Sequence, residues 1–498
     1  MKKKVQTMGI VAFTICLLIV FGASPVPAAK ADKKAAGPTP AKGASTAETW
    51  SKPNSSFDTT KMGDMSKFDP SHWVNPEGDV IKIAVVWPHS GPAALNGDMG
   101  WLCVSWAVYD INQRGGILVD GKKKKIAIYK ADTMSKPDQA KKICERMVLQ
   151  DKVHILIGNS GSNMVKVQNE VANKYKVISV NIGALADELQ DATNFSRYAF
   201  MTSDSTFQIG RGMAYYYGQI RKKEKKFYIL CQDYSYGRDM AQGFKDGLKE
   251  FYPEGQIVGE DYHKLFLTDY APYITKIKAS GAEVVWTGDW QPDAGNLLKQ
   301  SRSMGVNIPF ANLFMDEPNA LTEVGIEGTK GLVNIKHFEK AGPQFTKAFP
   351  GNAKFYNAWH NQWKNVWKTA PYNTPSFKWP WGTYGHWINQ TYWMLSVIER
   401  AGSVDPEKII KVWEGDTYQA TNGRLYKMRG CDHKAIQGFR VAEYVPPAEQ
   451  KQSMNMPPYV WNEKACMVGP SWEIPAGKVL PWMDQKLERC KGKNEWGE

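Results

Sequence analysis

Beyond its N-terminus the sequence has no apolar run long enough to cross a bilayer, and it has no motif of a common enzyme class. The P-loop, the Gly-x-Ser-x-Gly elbow and a Gly-x-Gly-x-x-Gly turn after a strand are all absent. Neither Cys-x-x-Cys nor a His-Glu-x-x-His spacing occurs, so we expect no metal and no cofactor. These absences weigh against a multi-span membrane protein and against an enzyme.

Charge is unbalanced but not concentrated. The chain has 63 basic and 50 acidic residues, and its basic clusters, 122–125 and 221–226, stand beside apolar strands. A nucleic-acid-binding protein would gather such residues in a stripe on one element. We therefore interpret the clusters as solvated turns or helix ends and expect no nucleic-acid partner.

The N-terminus has the three parts of a secretory signal peptide. Lys2, Lys3 and Lys4 precede an apolar stretch that ends near Gly22, and the small residues Ala28, Ala29 and Ala31 follow. The apolar stretch is about 14 residues, whereas a bilayer-spanning helix needs roughly 20. We expect residues 1–31 to be cleaved and the mature chain to be periplasmic or secreted.

Six cysteines remain once Cys16 is removed with the signal peptide. An even number in an exported protein is consistent with disulfides, and six cysteines allow 15 pairings. We expect two of the three C-terminal cysteines to pair, namely two of Cys431, Cys466 and Cys490.

The 498 residues exceed one large domain, so two lobes with accessory segments are expected. Residues 32–79 are rich in Ala, Lys, Pro, Gly, Ser and Thr, which predicts a low-complexity arm. Residues 446–498 are Pro-rich with few strand patterns and form a C-terminal extension. Aromatic residues are abundant, with 19 Trp, 22 Tyr and 19 Phe, which favours a binding surface lined by rings.

From residue 80 the pattern alternates between β-branched runs and helical segments, which predicts parallel βαβ units. The rhythm restarts after residue 197. Strands are predicted at 80–88, 124–132, 153–159, 177–181, 226–233, 256–263, 282–289, 309–314 and 331–336. The fold class is therefore α/β, with two successive doubly wound, Rossmann-like lobes.

Several stretches, in order, resemble the leucine/isoleucine/valine-binding protein family of ABC importers. They are IKIAVVWPHSGPAALNGDMG (81–100), AVYDINQRGGILVDGKKKKIAIYKAD (107–132), IGNSGS (157–162), DYSYGRDMAQGFKDGLK (233–249) and ITKIKASGAEVVWTGDWQPDAGNLLKQSRSMG (274–305). The resemblance covers residues 80–445, with insertions after 336. It implies the type I periplasmic binding fold, in which a three-segment hinge joins the two lobes. Lobe one would be 80–203 with 338–427, and lobe two 204–337 with 428–445.

The loops after strands of lobe one supply the first candidate site residues, because open α/β sheets bind ligands beyond the carboxyl ends of their strands. Ser160, Ser162 and Asn163 could hold a carboxylate with hydroxyls and free backbone N–H groups; a plain helix cap is the alternative. By the resemblance, Ser90 and Asn96 belong to a second ligand-facing loop, flanked by Trp87.

Ile182 and Gly183 follow the fourth strand, where amino-acid-binding relatives carry an Ala-Thr pair. This chain lacks the threonine, which weakens the case for an ordinary α-amino acid. From lobe two the resemblance places Tyr236 in the cleft. Trp290 takes the place of a second cleft tyrosine, with Asp289 beside it.

The family acid that pairs with a ligand ammonium falls near Phe314. Either a short register shift keeps an acid, at Asp316 or Glu317, or the site has exchanged the acid for a ring. A ring would favour a ligand without an ammonium, because a buried charge needs a partner. Such an aromatic-lined cleft suits an aromatic or aliphatic carboxylate, or a cationic amine held by cation–π attraction. The segment 378–387 is expected to be lobe packing that could border the cleft.

We therefore expect an exported, monomeric receptor that binds a branched-chain amino acid or related carboxylate and delivers it to a membrane permease. A ligand sensor of the same fold acting through a partner protein is the alternative, and a secreted hydrolase is less favoured.

Overall fold

The computed structural model describes residues 54, 57, 61–336, 351–380, 385–420, 424–454 and 460–498. The predicted signal peptide, residues 1–31, lies outside these described residues. Among the helices in the described ranges, none combines the length and apolar character that a bilayer-spanning segment needs.

Lobe one is a parallel sheet with helices packed against it. Its elements in chain order are β1 Ile81–Trp87, α1 Ala94–Gln113, β2 Ile117–Val119, β3 Lys122–Lys124, β4 Ile126–Asp132, α2 Pro137–Leu149, β5 Ile155–Gly158, α3 Ser162–Tyr175, β6 Ile178–Asn181 and β7 Ala199–Met201. The sheet order is β4-β1-β5-β6-β7. Because both faces are covered, β1, β5 and β6 are almost wholly buried, as their aliphatic sequences require.

Lobe two repeats the same alternation. Its elements are α4 Thr206–Tyr215, β8 Lys226–Gln232, α5 Ser235–Phe251, β9 Gln256–His263, α6 Ala271–Ala279, β10 Val284–Thr287, α7 Asp293–Ser303, β11 Phe310–Asn312, α8 Pro318–Thr329 and β12 Val333–Lys336. Ser205 and Gln208 form a capping box that starts α4 directly after the chain leaves lobe one.

The chain then returns to lobe one and crosses again. The remaining elements are helices Gly351–Asn365, His386–Ala401, Pro406–Trp413 and Pro447–Met454, and strands β13 Thr417–Gln419, β14 Leu425–Met428, β15 Ala435–Ile436, β16 Phe439–Val445 and β17 Met467–Ile474. Lys434 forms a bridge to Met201 of β7, whereas β16 pairs with β12. The last crossing therefore lies between 436 and 439, rather than at the predicted boundary of 428.

The N-terminal arm and the C-terminal extension differ most from the sequence prediction. Residues 61–79 of the predicted arm pack on lobe one. Phe68 is fully buried against Trp106, and the Trp101 and Trp367 indoles donate to the carbonyls of Pro70 and Phe68. The segment has few aliphatic residues, but Phe and Met side chains anchor it instead.

The C-terminal extension contains a strand and reaches both lobes. β17 pairs with β16, which extends the sheet of lobe two to β17-β16-β12-β11-β10-β8-β9. Further on, Asp484 accepts from the N–H of Ala192 in lobe one. The fully buried Arg429 donates to the carbonyls of Pro481, Trp482 and Glu495.

A disulfide joins Cys431 to Cys490, so the expected pairing of two C-terminal cysteines is confirmed. The other cysteines of the described chain, Cys103, Cys144, Cys231 and Cys466, are buried thiols.

Candidate functional site

A small cavity lies between the lobes at the ends of their parallel strands. Nine residues line it: Asn96, Ser160, Gly183, Leu185, Tyr234, Tyr236, Trp290, Phe314 and Trp387. Five of the nine are aromatic and none carries a charge. We call this cavity the cleft.

Six residues predicted from the sequence meet in the cleft: Asn96, Ser160, Gly183, Tyr236, Trp290 and Phe314. Asn96 also links the lobes, because its Nδ2 lies 3.5 Å from the carbonyl oxygen of Gln291. The Gln291 Nε2 in turn donates to the carbonyl of Phe314 over 3.0 Å, which fixes the loop carrying that ring.

Ser160 sits in the loop between β5 and α3. Its Oγ is buried and makes no hydrogen bond within the described chain. The N-cap of α3 is Gly161, which has no side chain to satisfy the first N–H groups of the helix. Ser162 supports the next loop instead, as its Oγ accepts from the Ala186 N–H at 3.4 Å, and Asn163 is exposed.

The loop after β6 is held by Asn181. Its side chain donates to the Ala184 carbonyl at 2.7 Å and accepts from the N–H groups of Gly183 and Ala184. A Cβ at Gly183 would lie 2.6 Å from the Asn159 carbonyl oxygen and 2.7 Å from the Trp87 ring, so only glycine fits. Ile182 is fully buried beside it.

Three other predicted residues lie outside the lining of the cleft. Trp87 is fully buried, and its ring centroid lies 4.4 Å from that of Trp387, which does line the cleft. Ser90 turns away and donates from Oγ to Asp132 over 2.7 Å. Asp316 is buried and is not among the lining residues.

Asp289 faces the interior of lobe two. Its Oδ2 lies 2.6 Å from Nε2 of His263, both side chains are fully buried, and Nδ1 of His263 donates to the Lys264 carbonyl. Burial disfavours the charged imidazole, but the carboxylate of Asp289 outweighs it and raises the pKa of His263 to about 9. Burial and the charge of Asp289 raise the pKa of the neighbouring Asp293 to about 6.

Glu317 is committed to a structural role. Its carboxylate caps α8 by accepting from the N–H groups of Asn319 and Ala320, and it also accepts from the Ser376 hydroxyl. Of the two sequence alternatives, a retained acid or a ring, the cleft contains the ring of Phe314.

Sequence reasoning missed Leu185 and Tyr234. Tyr234 stands two residues before Tyr236, in the same DYSYGRD stretch, and the two rings stack with centroids 5.5 Å apart. The Tyr234 hydroxyl accepts from the Trp290 indole N–H at 2.9 Å. Trp387 lies in the segment expected to border the cleft, whereas no pattern pointed to Leu185.

Comparison with known proteins agrees with this architecture. The family model described as "Periplasmic binding protein" matches residues 80–451. An amino acid binding protein of Pseudomonas aeruginosa is 32% identical over 263 residues, which are 51% of this chain and 66% of that protein. The Leu/Ile/Val/Thr-binding protein of Salmonella typhimurium is 25% identical, over 70% of this chain and 87% of its own.

Among solved structures, a solute binding protein of an ABC transporter from Rhodopseudomonas palustris superposes with a TM-score of 0.63 at 17% identity. It covers 80% of this chain and 98% of its own and was crystallised with 3,4-dihydroxybenzoic acid. This likeness shows the type I periplasmic binding fold. The chain thus belongs to the periplasmic binding protein family, in the group that includes the Leu/Ile/Val-binding proteins.

Proposed function

We propose that this protein is the solute receptor of an ABC importer and that it binds a small aromatic carboxylate without an ammonium group. The observation that carries the proposal is the cleft lining, which combines five rings with an unpartnered serine hydroxyl and no acidic side chain.

Lobe one would hold the carboxylate of the ligand. The Ser160 hydroxyl and the uncapped N-terminus of α3 offer hydrogen-bond donors at the positive end of a helix dipole. Hydrogen bonds to a charged acceptor are worth about 1.5–3 kcal/mol each, which is enough to orient a small anion.

Lobe two would hold the body of the ligand. Tyr236, Trp290 and Phe314 present large ring surfaces to the cleft. An α-amino acid would bring an ammonium into this apolar space, yet Glu317 caps a helix and Asp289 already pairs with His263. A buried ammonium without a carboxylate partner is costly.

A branched-chain amino acid is the second candidate, and the name of the Salmonella relative favours it. For either ligand we propose that the signal peptide directs export of the protein. The two lobes then close around the ligand, and the protein, as a monomer, delivers it to a membrane permease.

Isothermal titration of the mature protein tests the ligand class, after unfolding and refolding to remove carried ligand. We expect benzoate to bind at least about tenfold more tightly than leucine, a difference of about 1.4 kcal/mol. Binding of leucine, or of choline as a cation probe, with no response to benzoate would contradict the proposal.

A further inference from the structure

Two hydroxyl groups with unused hydrogen-bonding capacity line the cleft from opposite lobes. Ser160 on lobe one has no hydrogen-bond partner for Oγ within the described chain. Tyr234 on lobe two uses its oxygen as an acceptor for the Trp290 indole. Its own hydroxyl proton has no acceptor in the described parts of the protein.

The hydroxyl of the neighbouring Tyr236, unlike that of Tyr234, has an acceptor within the protein. The Tyr236 hydroxyl donates to the carbonyl of Gly288 and is therefore satisfied within the protein. Burial raises the pKa of Tyr234, so its hydroxyl keeps the proton at neutral pH. Tyr234 is only partly buried. A ligand that closes over its hydroxyl must therefore supply an acceptor, because a buried donor without one costs about 1–3 kcal/mol.

We propose that Tyr234 determines specificity by donating a hydrogen bond to an oxygen substituent on the ligand, at the end opposite its carboxylate. The ligand class is then a ring-hydroxylated aromatic carboxylate. This inference rests on the proposed function, because Ser160 and α3 must first fix the carboxylate on lobe one.

The Trp290 indole restricts the direction in which the Tyr234 hydroxyl can donate. By donating to the Tyr234 oxygen it occupies an acceptor site on that oxygen, so the hydroxyl proton is left to point elsewhere. A polar substituent near Tyr234 therefore has to accept. A ring hydroxyl can do so, whereas an ammonium or a methyl group cannot.

The test compares dissociation constants for benzoate, 3-hydroxybenzoate and 4-hydroxybenzoate by titration calorimetry on the refolded full mature chain. In the native protein we expect one hydroxybenzoate to bind about tenfold more tightly than benzoate. In Tyr234→Phe this ratio should fall to about one. A purely structural role of Tyr234 would change the affinities for both compounds and leave their ratio intact.

Tyr228→Phe serves as the control. It removes a lobe-two hydroxyl that donates to Asp261 away from the cleft, so this variant should keep the ratio.

Equal affinity of the native protein for benzoate and both hydroxybenzoates would overturn the role of Tyr234 while leaving the proposed function in place. An undiminished ratio in Tyr234→Phe would do the same. If the native protein binds leucine and none of the three acids, the proposed function fails and this inference fails with it.

Discussion

The two walls of the cleft are made of different chemical groups. Lobe one contributes the Ser160 hydroxyl, Gly183, the start of α3 and one ring, that of Trp387, whereas lobe two contributes four rings, those of Tyr234, Tyr236, Trp290 and Phe314. Groups close to the main chain are placed by the sheet and need little further support. Rings on long side chains must be positioned by other residues, so selectivity among ligands is expected to reside in lobe two.

The supports beneath the walls differ in the same way. In lobe one, Asn181 and Ser162 hold the loops through hydrogen bonds of groups that do not titrate. In lobe two, Trp290 follows Asp289 directly, and Asp289 is fixed by the buried ion pair with His263. The loops of lobe one are therefore held by uncharged groups, whereas the loop that carries Trp290 in lobe two is held by a charged pair.

The largest expected effect is on the pH dependence of stability. The folded pKa of His263, about 9, lies above its ordinary value of 6.5, so its contribution is fully present below pH 6.5. It is lost as the pH rises from 6.5 to 9, by about 3 kcal/mol. Urea unfolding across this range should show the decline, and His263→Gln should abolish it.

The exposed His72 supplies the control for that experiment. His72→Gln should retain the native pH profile. A profile for His263→Gln that still declines between pH 6.5 and 9 would show that the pair does not support lobe two.

A smaller effect is expected from removing a ring of lobe two. Trp290→Ala should weaken binding of an aromatic acid about 30-fold, or about 2 kcal/mol, because the ligand loses a large apolar face. Trp290→Phe keeps a ring and should recover most of the affinity. Calorimetric affinity of Trp290→Ala within twofold of native would mean that the indole only packs the lobe.

The smallest effect is expected on the wall of lobe one. Ser160→Ala removes one hydrogen bond to the carboxylate and should weaken binding about tenfold, since the helix N–H groups remain. Benzamide offers Ser160 only an uncharged acceptor, so it should lose less affinity than benzoate in the variant, because hydrogen bonds to uncharged groups contribute only about 0.5–1.5 kcal/mol. A loss for benzamide as large as that for benzoate would show that Ser160 does not recognise the charge.

Sequence reasoning reached the parts of the cleft that follow from topology. Ser160 and Gly183 follow buried parallel strands, and such strand ends converge at one edge of a sheet. Trp290 and Phe314 also follow strands, but the family resemblance placed them in the cleft. Leu185 could not be found because loop conformation, rather than strand position, brings it to the cleft.

The predictions that differ from the structure, for the arm and for Asp289, failed for another reason. The arm was interpreted from its lack of aliphatic residues, yet Phe68 and its neighbours are buried through contacts with the distant Trp106 and Trp367. Asp289 follows β10 as expected, but its partner His263 ends β9, which is separated from β10 by β8 in the sheet. The direction of the Asp289 side chain could therefore not be inferred from the sequence. Long-range partners of this kind leave no local pattern.

The C-terminal extension changes the mechanics of the two lobes. β17 is hydrogen-bonded into lobe two, while Cys490 is covalently tied to Cys431 beside β7 of lobe one. The stretch between them is thus a tether in addition to the crossing segments of the main fold. In the proposed closure of the lobes, rotation of one lobe against the other would also have to be absorbed by the residues between Ile474 and Cys490, and the length of this stretch would limit how far the cleft can open.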